Sequence, residues 1–250
     1  MISLERLREY ARRKDYNLGQ AEKDYFQEII LFILYKEFGK ELVFKGGTAL
    51  TKCFGFDRFS EDLDFNLMEE KDIKRLLGLG LDSFYITHEL EEEKSGSSES
   101  ITCRVQGPLY NGARTSLCKV SMDFSLREKA LLEPGIVEIG LYIDEIPSFR
   151  VVVMDREEIL AEKIRAIYTR NKARDLYDVY YLIKTGVRPD VRLIDAKLSM
   201  YSLSFSLRTL TMHLEKKQAI WDSEMKHLTK SYPGFDEAKK AVISRFRRRH

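Results

Sequence analysis

The sequence predicts an α/β (α+β) domain over residues 1–154 followed by a helical domain over 155–250. Three observations lead there. A short apolar run, Leu42–Phe44, stops at two glycines and restarts in a helical pattern. Strand-like segments then crowd the region from Leu63 to Met154. Beyond Met154 every periodic segment reads as helix.

The elements follow in order. "QAEKDYFQEIILFILYKEF" sets Phe26, Ile29, Ile30, Phe32, Ile33 and Leu34 on a broad apolar face, and Gly39 ends that helix. "LVF" (42–44) is a short buried strand, and Gly46-Gly47 breaks it before the helix "TALTKCF". The strand "LDFNL" (63–67) and a helical stretch over 68–80 come next. "SFYITHEL", "SITCRVQ", "LCKVSMDFS", "VEIGLYI" and "FRVVVM" are strand candidates, with the polar "EEEKSGSSES" as a flexible hairpin tip. Asp155 and Glu158 resemble a capping box. Helices are expected near 156–169, 174–184, 190–199, 205–229 and 235–248.

Composition narrows the function classes. The chain has 250 residues, 44% hydrophobic and 33% charged, enough to bury a sizeable core. No apolar run approaches the roughly 18–20 residues that span a bilayer, and "MISLERLREYARRKDY" has no signal-peptide core. A cytoplasmic protein without a membrane partner is expected. Cys53, Cys103 and Cys118 form no C-x-x-C pair, and the four histidines lack H-x-x-x-H spacing. A disulfide framework and a zinc enzyme are therefore not expected. The net charge of +2 conceals an asymmetry: from Asp155 onward 21 Lys and Arg face 13 Asp and Glu. That surplus suits a polyanionic partner, although solvated helices carry such charges too.

Chemistry concentrates in "FKGGTALTKCFGFDRFSEDLDF", residues 44–65. A strand ending in glycines lets a phosphate approach the backbone, and the following helix turns its N–H groups and partial positive charge to the same spot. Lys45, Gly46, Gly47 and Thr48 are thus the candidate phosphate turn, with the Thr48 hydroxyl as a further donor. Residues two apart share a strand face, so Asp62 and Asp64 project together while Leu63 and Phe65 enter the core. Paired carboxylates suit Mg²⁺, which takes one or two of them and completes its shell with water and phosphate oxygens. An ordinary turn and a solvated strand face are the plainer readings of each motif alone.

The combination resembles the nucleotidyltransferase pattern G-[GS]-[ST] … [DE]-x-[DE]. The longer string is similar to the AbiEii/AbiGii toxin family, through Gly46, Gly47, Thr48, Ala49, Leu50, Arg58, Ser60, Asp62, Leu63, Asp64 and Phe65. The resemblance implies a nucleotidyltransferase-type mixed sheet with flanking helices and a Mg²⁺-dependent transfer of a nucleoside monophosphate from an NTP. Mn²⁺ is the alternative ion. The resemblance also implies Ser60 among the nucleotide contacts and an antitoxin as partner. Some members of the family modify tRNA, so an RNA acceptor is expected; a protein or small-molecule acceptor, or a non-catalytic binding module, are the alternatives.

The same resemblance calls for a later block with a lysine and R-D-x-x-D. "EEILAEKIRAIYTRNKARDLYDVYYL" supplies Lys163, Arg170, Arg174, Asp175 and Asp178. Lys163, Ile167, Arg170 and Arg174 fall on one stripe if the helix is continuous. Lys163 and Asp175 are the candidate functional residues, with Lys163 serving the nucleotide phosphates. Arg174 and Asp178, at i,i+4, could instead form an ordinary ion pair. A third acid is expected from a neighbouring strand. Asp123, in the alternating "KVSMDFS", is favoured over Asp144, in "LYIDEI". Other fingerprints are missing: there is no G-x-x-x-x-G-K-[ST] loop, and "DLDFN" lacks the threonine of a haloacid-dehalogenase phosphatase. A D-x-D glycosyltransferase would leave the glycine turn unexplained.

Overall fold

A computed structural model describes residues 1–69, 71–126 and 129–247. The chain forms two compact units. The first comprises Met1–Gly55, Phe59–Ala130 and Pro134–Val153; the second comprises Phe56–Arg58, Leu131–Glu133 and Met154–His250. Two short excursions, at 56–58 and 131–133, therefore leave the first unit for the second and return.

The first unit opens with α1 (Leu4–Lys14) and α2 (Leu18–Phe38). Ser3 caps α1 by accepting from the Arg6 N–H, and Asn17 and Gln20 form a reciprocal capping box on α2. Sequence periodicity picks out only α2; α1 carries few apolar residues, and just Leu7, Tyr10 and Ala11 of it are buried. There follow β1 (Leu42–Lys45), α3 (Gly46–Phe54), β2 (Leu63–Leu67), α4 (Ile73–Ser83), β3 (His88–Ser95), β4 (Ser98–Val105), β5 (Cys118–Ser125), β6 (Gly135–Ile139) and β7 (Phe149–Val153). The segment expected to be a flexible tip is mostly paired strand, with the β3–β4 register running from His88↔Val105 to Ser95↔Ser98. Only Gly96 and Ser97 turn.

The seven strands form one mixed sheet in the order β3-β4-β5-β2-β1-β7-β6. β2 runs parallel to β5 and β1 parallel to β7, while β1 and β2 are antiparallel. Strand alternation then sorts the side chains onto two faces. One face carries Phe44, Phe65 and Phe124 in a single register row across β1, β2 and β5. Their rings stack at 5.3 and 5.1 Å and are fully or almost fully buried. Leu63, Leu67, Met122, Val120 and Ile101 extend this apolar face, and α2 packs against β5, β7 and α4. A buried ion cluster also holds α3 to α2. The Lys52 ammonium lies 2.9 Å from Asp24 Oδ1 and 3.6 Å from Glu28 Oε2, and the Tyr142 hydroxyl donates to Asp24 Oδ2.

The second unit is helical: α5 (Arg156–Thr169), α6 (Ala173–Lys184), α7 (Val191–Ser199), α8 (Leu207–Glu215), α9 (Trp221–Leu228) and α10 (Phe235–Arg247). The helix expected over 205–229 is broken by a 3-10 turn at Gln218–Ile220. Asp155 caps α5 by accepting from the Glu157 N–H, but the expected box partner is engaged elsewhere. Buried Glu158 accepts from the N–H groups of Leu131 and Leu132 and pairs with Lys197 at 2.6 Å. A buried carboxylate needs such partners more than it needs the helix end. Among the described residues no helix is long and apolar enough to cross a membrane. The three cysteines are free thiols, whose pKa burial pushes up to about 12.

Truncating the aromatic row tests its part in the core. Phe65→Ala removes the middle ring of the stack and should lower unfolding stability by about 3–5 kcal/mol, measured as a fall in the urea midpoint. A loss below about 1 kcal/mol would mean that the row does not organise the sheet.

Candidate active site

The site is built where β1 passes directly into α3. Lys45 ends the strand opposite Asp64 of β2, and the helix begins at the next residue. Gly46 sits at φ 77°, a backbone state open to glycine and strained for other residues. Space forbids a side chain there as well: a Cβ on Gly46 would lie 2.1 Å from Asp64 Oδ2. The Asp64 carboxylate thus rests against the first turn of α3, which the Lys45 side chain does not cap. The glycine bend and the second acid of D-x-D share one point in space.

Two side chains hold the approach to Asp64. The Thr48 hydroxyl donates to the Asp62 carbonyl at 2.5 Å. The Gln27 amide donates to the carbonyls of Ser60 and Glu61 at 3.0 and 2.9 Å. Thr48 is buried, so its hydroxyl proton positions the acid-bearing backbone rather than pointing outward. Asp62, Asp64 and Ser60 are half-buried, while Lys45 is buried.

The candidate third acid lies in the same row. Asp123 of β5 is in register with Asp64, so both carboxylates leave the same sheet face. Asp123 is exposed, and the Ser100 hydroxyl of β4 donates to its Oδ1 at 2.5 Å. Asp144 does not share this placement. Residues 141–145 form a turn, so strand alternation does not apply, and Asp144 is exposed and pairs with Arg6 at 3.2 Å. Asn66, two residues beyond Asp64 on the same strand, is 3% exposed, and neither of its amide atoms has a hydrogen-bond partner. Extending the period-two pattern from D-x-D to D-x-D-x-N would have found it. The role of Gln27 has no such local signal, since its partners are 33 and 34 residues away.

The second unit gathers the later motif into a buried chain of charges. Arg58 grips Asp178 with two bonds, Nε to Oδ1 at 2.6 Å and Nη2 to Oδ2 at 2.8 Å. Lys163 lies 2.7 Å from Asp178 Oδ2 and 3.8 Å from Asp175 Oδ1. Arg170 completes the chain with two 2.8 Å bonds to Asp175. The stripe expected over residues 163–174 is not one helix. α5 ends at Thr169, and Arg170 adopts an extended conformation that turns its guanidinium back onto Asp175. Asp178 takes Arg58 and Lys163 as partners instead of Arg174, because a fork-shaped buried guanidinium outcompetes a half-exposed one on the same helix. Burial alone would raise the Asp178 pKa, but the charges of Arg58 and Lys163 override it and hold the group at about 2.

The family described as "Nucleotidyl transferase AbiEii toxin, Type IV TA system" matches residues 30–247. The chain belongs to the AbiEii family. Membership makes this AbiEii protein a nucleotidyltransferase, of a toxin family belonging to type IV toxin–antitoxin systems, in which an antitoxin is the implied partner. Solved structures share its fold. MenT4, the nucleotidyltransferase toxin Rv2826c from Mycobacterium tuberculosis H37Rv, is 19% identical with a TM-score of 0.68, covering 98% of this chain and 89% of that one. JHP933 from Helicobacter pylori is 18% identical with a TM-score of 0.57, covering 90% and 89%. No curated protein matches the chain.

AbiEii enzymes, as nucleotidyltransferases, generally use divalent metal ions, and Asp62, Asp64 and Asp123 are the candidate oxygen donors here. Asp64 and Asp123 share a register row, and the Asp64 carboxylate fills the space where a side chain at position 46 would stand. Among the described residues no group of three or more His, Cys, Asp or Glu side chains is placed to hold a metal ion. Mg²⁺ suits such an arrangement, since it keeps waters and draws oxygens from the substrate.

A side chain introduced at the bend tests this geometry. Gly46→Ala should leave the far-ultraviolet circular dichroism spectrum unchanged yet reduce nucleotidyl transfer about 100-fold, a size typical of an ångström-scale misplacement; full activity would mean that Asp64 need not lie against the helix. Asp178 has a depressed pKa, so its stabilisation is present above its unfolded value near pH 4 and lost as pH falls toward about 2. Asp178→Asn should flatten that part of the stability–pH curve for the helical unit, measured by acid titration of helix content. An unchanged slope between pH 4 and 2 would contradict the ion-pair assignment.

Proposed function

We propose that this AbiEii-family chain transfers a nucleoside monophosphate from an NTP to RNA, with tRNA the expected acceptor, in a Mg²⁺-dependent reaction in the cytoplasm. The observation that carries the reading is the row Lys45–Asp64–Asp123, with the Asp64 carboxylate packed against the glycine that starts α3. The surplus of Lys and Arg over residues 155–250 supports a polyanionic acceptor.

In this reading the first-turn N–H groups of α3, at Gly46 and Gly47, take the β- and γ-phosphates. Lys45 and Ser60 line the same approach. Thr48 and Gln27 keep the Asp62 backbone in place, so that both carboxylates meet the ion in fixed positions. Mg²⁺, when bound by Asp62, Asp64 and Asp123, neutralises charge on the phosphates and the leaving group. Asp123 receives the acceptor's hydroxyl proton, with the Ser100 hydroxyl fixing its orientation. The acceptor oxygen forms its bond to the α-phosphorus as the bond to the β-phosphate oxygen breaks and pyrophosphate leaves. Lys163, expected to serve the phosphates, is buried in the helical unit with its charge taken up by Asp178 and Asp175.

The test is incubation with each α-labelled NTP, Mg²⁺, and total RNA or total protein. Label should enter the tRNA band, and Asp64→Asn and Asp123→Asn should each reduce it about 10³-fold, the loss of several kcal/mol of charge stabilisation. Label on protein alone would overturn the RNA acceptor. Transfer that survives Asp64→Asn would overturn the metal assignment.

A further inference from the structure

We propose that a basic groove at the junction of α1 and α2 binds the single-stranded part of the acceptor RNA. The inference rests on the nucleic-acid acceptor proposed above and names the surface that would hold it. Helix α1 stands out by charge. Residues 1–154 carry more acid than base, yet α1 holds Arg6, Arg8, Arg12, Arg13 and Lys14 against Glu5 and Glu9. Arg6 turns to Asp144 and Glu145. Arg8 and Arg12 lie one helical turn apart and exposed, and neither has a carboxylate partner among the described residues. Together with Asp15, Tyr16 and Asn17 they line a cavity of about 380 Å³.

Each lining group has a use toward a nucleic-acid strand. Two guanidinium forks one turn apart suit neighbouring phosphates. The half-buried Tyr16 ring stands edge-on to Phe59 at 5.2 Å and offers a surface for a base. Asp15 reduces the positive charge of the groove without reversing it, while the Asn17 side chain caps α2. Through Tyr16 the groove touches the segment that leads to the acids. Phe59 precedes Asp62 by three residues, a reach of at most about 10 Å, and the carbonyls between them are pinned by Gln27 of α2. Residues 4–18 precede the family match, which begins at residue 30.

The test measures affinity and turnover for RNA with an Arg8→Gln/Arg12→Gln double variant. Glutamine keeps helix propensity and both sites are exposed, so folding should be retained. A Lys36→Gln/Lys40→Gln variant, with its changes roughly 27 Å away along α2, removes the same charge elsewhere in the first unit. The groove variant should raise the KM for RNA about tenfold while leaving the KM for NTP and kcat within twofold. Its binding of a single-stranded RNA oligomer, followed by fluorescence anisotropy, should lose about 1.4 from the slope of log affinity against log salt, two strand phosphates at about 0.7 each. The distant variant should match the wild type. Equal losses in both variants, or no loss in the groove variant, would overturn the groove. Should the wild type bind the RNA oligomer through Arg8 and Arg12 but label only protein, the acceptor assignment falls while the groove stands. Should the wild type transfer to RNA with Arg8 and Arg12 dispensable, the acceptor assignment stands and the groove falls.

Discussion

The Asp64 carboxylate lies against the α-carbon of Gly46, and this contact sets the tolerances of the catalytic unit. Position 46 cannot carry a side chain, and β1 must meet β2 in the register that puts Lys45 opposite Asp64. That register is the one in which Phe44, Phe65 and Phe124 stack. A slip of one residue would turn the acids into the apolar face and the rings out of it. Burial of three aromatic rings and placement of the acids are thus consequences of one alignment. The core specifies the site's geometry through strand pleating alone.

The helical unit answers a different electrostatic demand. Its chain Arg58–Asp178–Lys163–Asp175–Arg170 is almost wholly removed from water, with only Arg170 substantially exposed. Desolvating so many charges offsets most of the attraction between them, so stability gives little reason for the arrangement. Uniqueness is the better account. Each group accepts a partner of one sign at one place, and the fork of Arg58 fits a carboxylate in only a few poses. The excursion of residues 56–58 into this unit, just ahead of the D-x-D strand, is fixed by that fit. Glu158 does the same for the second excursion by taking the N–H groups of Leu131 and Leu132.

What the sequence made legible was whatever depended on local period. Alternation in "LDFNL" and "KVSMDFS" correctly gave the buried and polar faces of β2 and β5, and the two glycines gave the strand-to-helix break. What stayed hidden depended on distant partners. Thr48 reads as a phosphate donor until the Asp62 carbonyl is seen to take its proton. Glu158 reads as a capping-box residue until Leu131, Leu132 and Lys197 claim it. Asp144 has the composition of a strand residue but belongs to a turn after Gly140. Helix α1 escaped because its amphipathic stripe is narrow, with three buried residues among five basic ones. A polar hairpin misled for the opposite reason. The Glu-rich β3 is the sheet's edge, where charge is what keeps an exposed strand from pairing with another chain.

The arrangement at Gly46 also bears on the order in which charges gather. The first turn of α3 carries a partial positive charge, and Asp64 already rests against it. A triphosphate approaching the same turn meets a carboxylate before it meets the amides, with Asp123 one strand away. Two anions at one helix end repel unless a cation lies between them. In the proposed reading, nucleotide and divalent ion enter together, the ion shielding the phosphates from the acids. The partial positive charge of the helix end favours the Asp64 carboxylate, and the Ser100 hydroxyl donates to Asp123. The glycine at position 46 thus admits the Asp64 carboxylate to the helix end, where the partial positive charge of the first turn favours it.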